Sequence, residues 1–212
     1  MKRKLWCLGF CFLISLTLCL GLDLTVWAAN EARSDNATTA NQRPSWFCPD
    51  RFNFLVGYGY QETGIHRPTH FQQIYLLSSL IVPLTRSIGP SWFRGRVEWN
   101  PEVGAGSFLH PYARPFLEFS PVQFHYAFEP IGHWSPYVIG STGIFMANIK
   151  TAETEVWFNF NSQIGLGTGY AVTDRVSLLV EYRYGHISNA GIHGRDHGME
   201  TQNFLVGVSK KI

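Results

Sequence analysis

The stretch from His186 to Glu200, HISNAGIHGRDHGME, holds residue types that could do chemistry at the end of the chain. On a β-strand, residues two apart point to the same side, so His186 and Ser188 project together. A histidine beside a serine can accept the hydroxyl proton, and a carboxylate such as Glu200 can orient the imidazole and support its positive charge. These residues predict a Ser-His-Glu triad for nucleophilic catalysis.

The strands that carry these residues decide where they point. Val180, Tyr182 and Tyr184 share the face of His186 and Ser188, which is therefore apolar or aromatic. Glu181 and Arg183 lie on the opposite face. Glu200 likewise shares the apolar face of the last segment, made of Phe204, Val206, Val208 and Ile212. The triad is therefore expected on an outer, lipid-facing wall near the extracellular rim, where polar groups need partners.

The register of the last two strands is predicted by the same alternation. We expect His186 directly opposite Glu200 on neighbouring antiparallel strands, with Cβ atoms roughly 4.5–5.5 Å apart. A slip of one residue would turn Glu200 and the apolar residues of its strand into the lumen. The spacing alone leaves an alternative open, in which all three residues are ordinary loop residues above the hydrocarbon.

The loop between the triad residues offers two further readings. His193, Asp196 and His197 are a weak metal candidate, because loop histidines are more often solvated and no Cys or outlying ligand joins them. Arg195 is either a contact for a phosphate group of a ligand or a solvated loop charge. We therefore predict no metal and no cofactor.

The rest of the chain shows period-two alternation of large apolar residues with small or polar ones, without a sustained helical period. In the first such segment the apolar positions are Phe52, Phe54, Val56, Tyr58 and Tyr60. Eight segments have about the length that a tilted membrane strand needs: 51–60, 71–84, 92–105, 114–128, 135–147, 157–172, 174–188 and 199–212. This pattern predicts an all-β fold, an eight-stranded antiparallel transmembrane β-barrel over residues 51–212.

The polar face of these segments is predicted to line the barrel interior, as in a membrane barrel and unlike a soluble lipocalin-type barrel. The charges on it are of both signs and are expected to pair inside: Arg94, Arg96, Glu98, Glu102, Glu118, Glu181 and Arg183. The alternation slips near Pro121, which predicts a β-bulge there. The connections 61–70, 106–113, 148–156 and 189–198 are expected outside the cell.

The N-terminal residues 1–29 are predicted to be a secretory signal peptide. Lys2, Arg3 and Lys4 precede the apolar run 5–22, and small residues follow at Ala28 and Ala29. An uncleaved membrane helix is the competing reading, but Asp23 interrupts the run. Residues 30–50 read as a polar periplasmic tail.

The charge balance and the cysteines exclude other classes. Removing residues 1–29 takes away three basic residues and one acidic residue, which leaves 14 of each sign, so a nucleic-acid partner is not expected. Cys48 is then the one remaining cysteine, so no intramolecular disulfide is possible.

The C-terminal motif resembles the signature of the lipid A deacylases of Gram-negative outer membranes, also called acyloxyacyl hydrolases or lipid A 3-O-deacylases. That signature has the form His-x-Ser-Asn-Ala-Gly, then a short loop with a Gly, then Glu. The matching residues are His186, Ser188, Asn189, Ala190, Gly191, Gly198 and Glu200. The match covers about 20 residues, and the signal and eight strands agree with the family's architecture.

The resemblance implies hydrolysis of the ester-linked acyl chain at the 3-position of lipid A. It assigns His186 as base, Ser188 as nucleophile and Glu200 as third member, with the Asn189 side chain and the Gly191 N–H as oxyanion hole. The partners implied are lipopolysaccharide and outer-membrane lipid. The loop departs from the family at Arg195-Asp196, where a Pro-Asn pair is common.

Alternatives from other classes are a non-catalytic structural or adhesion barrel and an acyltransferase that passes the chain to another alcohol. The first has no need of an outward His, Ser and Glu, and the second lacks a visible acceptor site. We expect lipid A to approach laterally from the outer leaflet, because an eight-stranded interior is too narrow for an acyl chain. Whether two copies form a homodimer is left open.

Overall fold

The structure is a computed structural model that describes residues 48–61, 69–151, 153, 157–192 and 197–212. The predicted signal peptide 1–29 and the predicted tail 30–50, except for its last three residues, lie outside this part of the chain.

Antiparallel strands build the described part of the chain. Their bounds are β1 Arg51–Gln61, β2 Phe71–Pro83, β3 Gly95–Trp99, β4 Glu102–His110, β5 Arg114–Phe128, β6 Trp134–Ala147, β7 Phe158–Ala171, β8 Val176–Ser188 and β9 Met199–Lys211. The order is β1-β9-β8-β7-β6-β5-β3-β2-β4, and the pairings β1–β2 and β5–β4 close the sheet on itself. Because β3 and β4 share the place between β2 and β5, the barrel has eight strand positions, as predicted.

The third strand differs from its predicted bounds of 92–105. It is divided at Asn100-Pro101 and continues to His110, which leaves three residues, Pro111 to Ala113, in the connection predicted as 106–113. Pro101 cannot donate to a ladder, but the Asn100 N–H donates to the Gln123 carbonyl at 2.8 Å and keeps the strand in place. The predicted end at 105 was too early because a small and a polar residue, Ala105 and Ser107, follow Val103 on the outward face.

The outer face of the barrel is apolar over most of its surface. Alternate residues of β1 are exposed in the predicted phase, and the same holds on β9, where Phe204 and Val206 are 51% and 58% exposed. A soluble monomer rarely exposes so much contiguous apolar surface, whereas a bilayer covers it. In the described residues no helix is long and apolar enough to span a membrane.

The charged lumen predicted from the sequence is present around Arg183. Its guanidinium donates to both carboxylate oxygens of Glu102, at 2.6 and 3.0 Å, and its Nε donates to Glu181 at 2.8 Å. Tyr137 donates to the other oxygen of Glu181 at 2.7 Å. All four side chains are buried, so this network neutralises charges that could not be buried singly.

The other predicted lumen charges divide into two groups. Glu98 and Glu118 are buried, and Arg96 donates from Nε to Glu98 at 2.6 Å near the periplasmic end. The prediction that Arg94 lines the lumen is wrong. Arg94 precedes β3 and directly follows a short 3-10 helix, Ser91–Phe93. Its side chain is 58% exposed. A residue outside the strand is not bound by the strand's alternation.

The extracellular half of the lumen is apolar, which the sequence analysis did not predict. Aromatic and aliphatic side chains from several strands are buried against one another there, among them Phe71, Phe108, Phe116, Phe145, Ile187 and Met199. Phe116 and Phe145 lie with ring centroids 4.8 Å apart. This apolar plug fills the barrel directly behind the strand ends that carry the predicted triad.

The predicted bulge is present at Pro121. The register between β5 and β6 shifts between Phe119 and Val122, so both Ser120 before the shift and Gln123 after it face the lumen. The Pro121 carbonyl, which is displaced from the ladder, accepts a hydrogen bond from Trp99 Nε1 at 2.7 Å.

We expect Arg183→Met to destabilise the barrel by about 3–5 kcal/mol, because Glu102 and Glu181 would stay buried without their counter-ion. The midpoint of urea unfolding in lipid vesicles measures the change. Arg94→Met is the matched control at an exposed arginine and should cost under about 1 kcal/mol. Equal midpoints for the two variants would show that the buried network contributes no net stability.

Candidate active site

The last hairpin brings His186 and Glu200 together as the sequence predicted. The two residues are directly opposed in the β8–β9 register, and the apolar pairs beneath them follow the predicted order. His186 Nδ1 lies 3.9 Å from Glu200 Oε1, and the two side chains are 47% and 26% exposed. Both project outward, so the carboxylate can orient the imidazole and support a positive charge on it.

Ser188 is the last residue of β8 and shares the outward face of His186. Its cross-strand neighbour on β7 is Phe160. Its Oγ accepts the Ala190 N–H at 3.4 Å, which turns the hydroxyl oxygen towards the turn that follows. The serine and the histidine therefore stand two residues apart on one face, at the open end of the strand.

A tight turn follows Ser188 and positions the predicted oxyanion residues. The Ile192 N–H donates to the Asn189 carbonyl at 3.2 Å, and the two central residues, Ala190 and Gly191, have φ angles of 56° and 71°. Two positive φ values in a row are the mark of a type I′ turn. Ala190 occupies the left-handed region at a cost of roughly 1–2 kcal/mol, a strain that is characteristic of functional sites.

The Asn189 side chain is buried, and its Oδ1 accepts the Gly191 N–H at 2.8 Å. The two groups predicted to form the oxyanion hole are thus adjacent and bonded to each other in this structure. The carboxamide oxygen faces Gly191, so the Nδ2 group of Asn189 points away from it.

Tyr184 contacts Glu200 of the predicted triad and was not itself predicted as a site residue. Its hydroxyl donates to Glu200 Oε2, while Oε1 faces His186. Each carboxylate oxygen thereby has its own neighbour, which fixes the plane of the carboxylate. In the sequence pattern Tyr184 falls among the apolar outer residues. Its phenol, two residues before His186 on the same face, was the available signal.

Gln61, at the end of β1, is a second residue that sequence reasoning missed. Its Oε1 accepts the backbone N–H of Glu200 at 2.5 Å, and its Nε2 donates to the Thr69 carbonyl at 3.0 Å. The β1–β9 ladder ends one residue earlier, at Tyr60 and Gln202, so this buried side chain extends the pairing to Glu200. Nothing in the sequence near Gln61 indicates this contact, which depends on closure of the barrel.

Gly198 forms a wall beside the imidazole. It has a φ of +70°, and a Cβ built on it would lie 2.5 Å from His186 Cε1. Only glycine leaves room for the ring in this backbone conformation.

The remaining loop candidates are placed only in part. His197 is exposed, and its backbone N–H donates to the Glu153 carbonyl at 3.0 Å. His193, Arg195 and Asp196 lie outside the described residues. The expectation of no metal site and the two alternative roles of Arg195 therefore stay predictions.

The family model of the lipid A 3-O-deacylases (PagL) matches residues 83–209, more than half of the chain and all of the last hairpin up to Ser209. The chain belongs to the lipid A 3-O-deacylase family. It is an enzyme that hydrolyses ester bonds and resides in the outer membrane of Gram-negative bacteria. The structural-barrel and acyltransferase alternatives are therefore set aside.

Two solved structures share the fold. The crystal structure of the outer membrane enzyme PagL has 20% sequence identity and a TM-score of 0.55, and the match covers 72% of this chain and 97% of that one. The crystal structure of Neisserial surface protein A (NspA) has 13% identity and a TM-score of 0.51, with 76% and 96% covered. A comparison with curated proteins found no match.

We expect Gly198→Ala to abolish most ester hydrolysis without unfolding the barrel, because the new methyl group would displace the His186 ring. Gly132→Ala is the matched control, since Gly132 has a φ of +62° but nothing within 4 Å of the added methyl group. Both variants carry the backbone strain and only one carries the clash. Equal activities of the two variants would show that the space left by Gly198 is not needed by the His186 ring. Heat-modifiable migration in gel electrophoresis reports folding.

Proposed function

We propose that this enzyme hydrolyses the acyl ester at the 3-position of lipid A by a Ser188-His186-Glu200 mechanism. The observation that supports it is the direct opposition of His186 and Glu200 on the lipid-facing wall, with Ser188 on the same face. Polar side chains in a wall that faces hydrocarbon cost free energy, and their presence there favours a function.

The covalent step begins when His186 accepts the proton of Ser188 and Oγ attacks the ester carbonyl carbon. The tetrahedral intermediate collapses, and His186 returns the proton to the sugar oxygen that leaves as the 3-hydroxyl of lipid A. Water, deprotonated by His186, then attacks the acyl-serine and releases the fatty acid, and His186 returns this proton to Ser188 Oγ. No atoms besides those of one ester and one water are consumed.

Glu200 acts on the imidazole and not on the substrate. Its Oε1 lies 3.9 Å from Nδ1 in the resting site, so a small rotation of either side chain makes a hydrogen bond. That bond selects the tautomer with the proton on Nδ1 and leaves Nε2 free to face Ser188. Tyr184, which donates to the other carboxylate oxygen, opposes rotation of Glu200 away from this position.

The oxyanion hole requires donors directed at the charge that develops on the carbonyl oxygen. Asn189 Nδ2 and the Gly191 N–H lie on the turn directly after the nucleophile. The Gly191 N–H donates to Asn189 Oδ1 at 2.8 Å, and this bond must open before the N–H can donate to the substrate. The Asn189 carboxamide is thus expected to rotate when lipid A binds.

Lipid A is expected to reach the site laterally, from the outer leaflet. The triad faces outward, and the lumen behind it is filled by the apolar plug and the Arg183 network. An acyl chain attached to the scissile ester therefore lies along the outer wall below Ser188, in contact with lipid.

We expect Ser188→Ala to remove deacylation while the barrel stays folded and inserted. The hydroxyl lies at a strand end, where its loss costs little stability, but the covalent step needs it. Ser78→Ala is the matched control, because Ser78 lies on the outer face of β2 between Phe54 and Val103. Release of 3-hydroxy fatty acid from lipid A, followed by mass spectrometry, is the measurement; unchanged release by Ser188→Ala would exclude Ser188 as nucleophile.

Lateral access predicts that a bulky group on the outer wall below the triad blocks the enzyme. Ile164 is 67% exposed on β7, opposite Tyr184, and Ile74 is 46% exposed on the far side of the barrel. In a Cys48→Ser background, a bulky maleimide on Ile164→Cys should stop most turnover, whereas the same label on Ile74→Cys should not. Full activity with both labels would argue against an acyl path along this wall.

A further inference from the structure

The polar residues on the outer wall extend beyond the triad. Thr142 on β6 pairs with Ser162 on β7, Ser162 pairs with His186 on β8, and His186 pairs with Glu200 on β9. These four outward residues form one row across four neighbouring strands, which we call the outer polar row. Val122 on β5 ends it on one side.

Thr142 and Ser162 are exposed on the lipid-facing wall and bond to each other, with 3.2 Å between their hydroxyl oxygens. Two hydroxyls have two O–H donors, and a single bond between them uses only one. No other hydrogen bond to either hydroxyl is present in the described part of the chain. One O–H group is therefore left facing hydrocarbon, where an unsatisfied polar group costs free energy.

This hydroxyl pair lies close to the nucleophile. Ser162 is directly opposite His186, and Phe160, two residues earlier on β7, is opposite Ser188. Ser162 is thus the diagonal neighbour of Ser188, a relation that places Cα atoms roughly 7–8 Å apart. A substrate atom a few bonds from the scissile carbonyl carbon falls within reach of the pair.

The distance of the Thr142–Ser162 pair from the extracellular rim indicates which side of the bound ester the pair faces. β8 ends at the open rim with Ser188, and the level of Ser162 lies two residues further from that rim. The sugar of lipid A lies on the rim side of the ester and the acyl chain on the membrane side. The pair therefore faces the first carbons of the acyl chain.

We propose that Ser162 and Thr142 recognise a hydroxyl group on the acyl chain, next to the ester that Ser188 attacks. The proposal rests on the proposed function, since it takes Ser188 as the point of attack. The free O–H of the pair bonds the acyl hydroxyl, and each partner satisfies a group that otherwise faces hydrocarbon. Ser162 and Thr142 are then specificity-determining residues for hydroxylated acyl chains.

The apolar residues around the pair support a selective contact. Phe160 and Ile164 flank Ser162 on the outer face of β7, and Ile144 follows Thr142 on β6. These side chains exclude water from the pair when an acyl chain covers it. An unsubstituted chain would leave the one remaining O–H of the pair without an acceptor, which disfavours its binding.

The test uses two esters of the same glucosamine phosphate, one 3-hydroxyacyl and one unsubstituted acyl of equal chain length, with the mature enzyme in detergent micelles. We expect the wild type to prefer the hydroxylated ester. In the double variant Ser162→Ala, Thr142→Val the ratio of the two kcat/KM values should fall about tenfold, the effect of one hydrogen bond of about 1.4 kcal/mol. Ser78→Ala and Thr168→Val, the same changes elsewhere on the outer wall, should leave the ratio unchanged.

An unchanged ratio in the double variant would overturn the proposal, because the pair would then be only a self-satisfied surface contact. Loss of both activities to the level of Ser188→Ala would also overturn it, since Ser162 would then serve the chemical step itself. If Ser188→Ala keeps full activity, the proposed function fails instead. The ratio measured for the double variant still reports on acyl recognition, so the two failures are distinguishable.

Discussion

The register between β8 and β9 is the constraint on which the site depends. Each strand has one apolar face that must meet lipid, and the side-chain period of two leaves no intermediate alignment. A slip of one residue would place Phe204, Val206 and Val208 in the lumen against Glu181 and Arg183. The interactions that hold the hairpin in the membrane thus also hold His186 opposite Glu200.

The lumen supports this hairpin in two different ways. Near the middle of the barrel, Arg183 on β8 is joined to Glu102 on β4, so a charged cross-link fixes the strand from behind. Nearer the rim, Ile187 and Met199 project into the apolar plug. The outward faces of the same strands are consequently free to carry residues that the fold does not need, and the outer polar row lies there.

The sequence predicted the strands, most of their inward and outward faces, the bulge at Pro121 and the placement of His186 opposite Glu200, because each follows from alternation. The catalytic roles of the five residues of the C-terminal motif stay proposals. It did not predict what depends on contacts between distant strands. Gln61 lies 139 residues from Glu200, and its bond to the Glu200 N–H arises only when β1 meets β9. Arg94 was misplaced because alternation was extended past the end of its strand, and the apolar plug was missed because lumen-facing Phe and Ile residues look like lipid-facing ones when single segments are read.

The pairing of β1 with β9, which closes the barrel, completes the contacts of Glu200. Ser188 and His186 lie on β8, whereas the backbone of Glu200 is held partly by Gln61 from β1. A chain whose sheet is still open would lack the Gln61 contact, and Glu200 would be held only by its pairing with β8 and by Tyr184. If Glu200 serves the imidazole as proposed, closure of the cylinder adds the last contact to its backbone, and the site is completed only in the membrane that contains the proposed substrate.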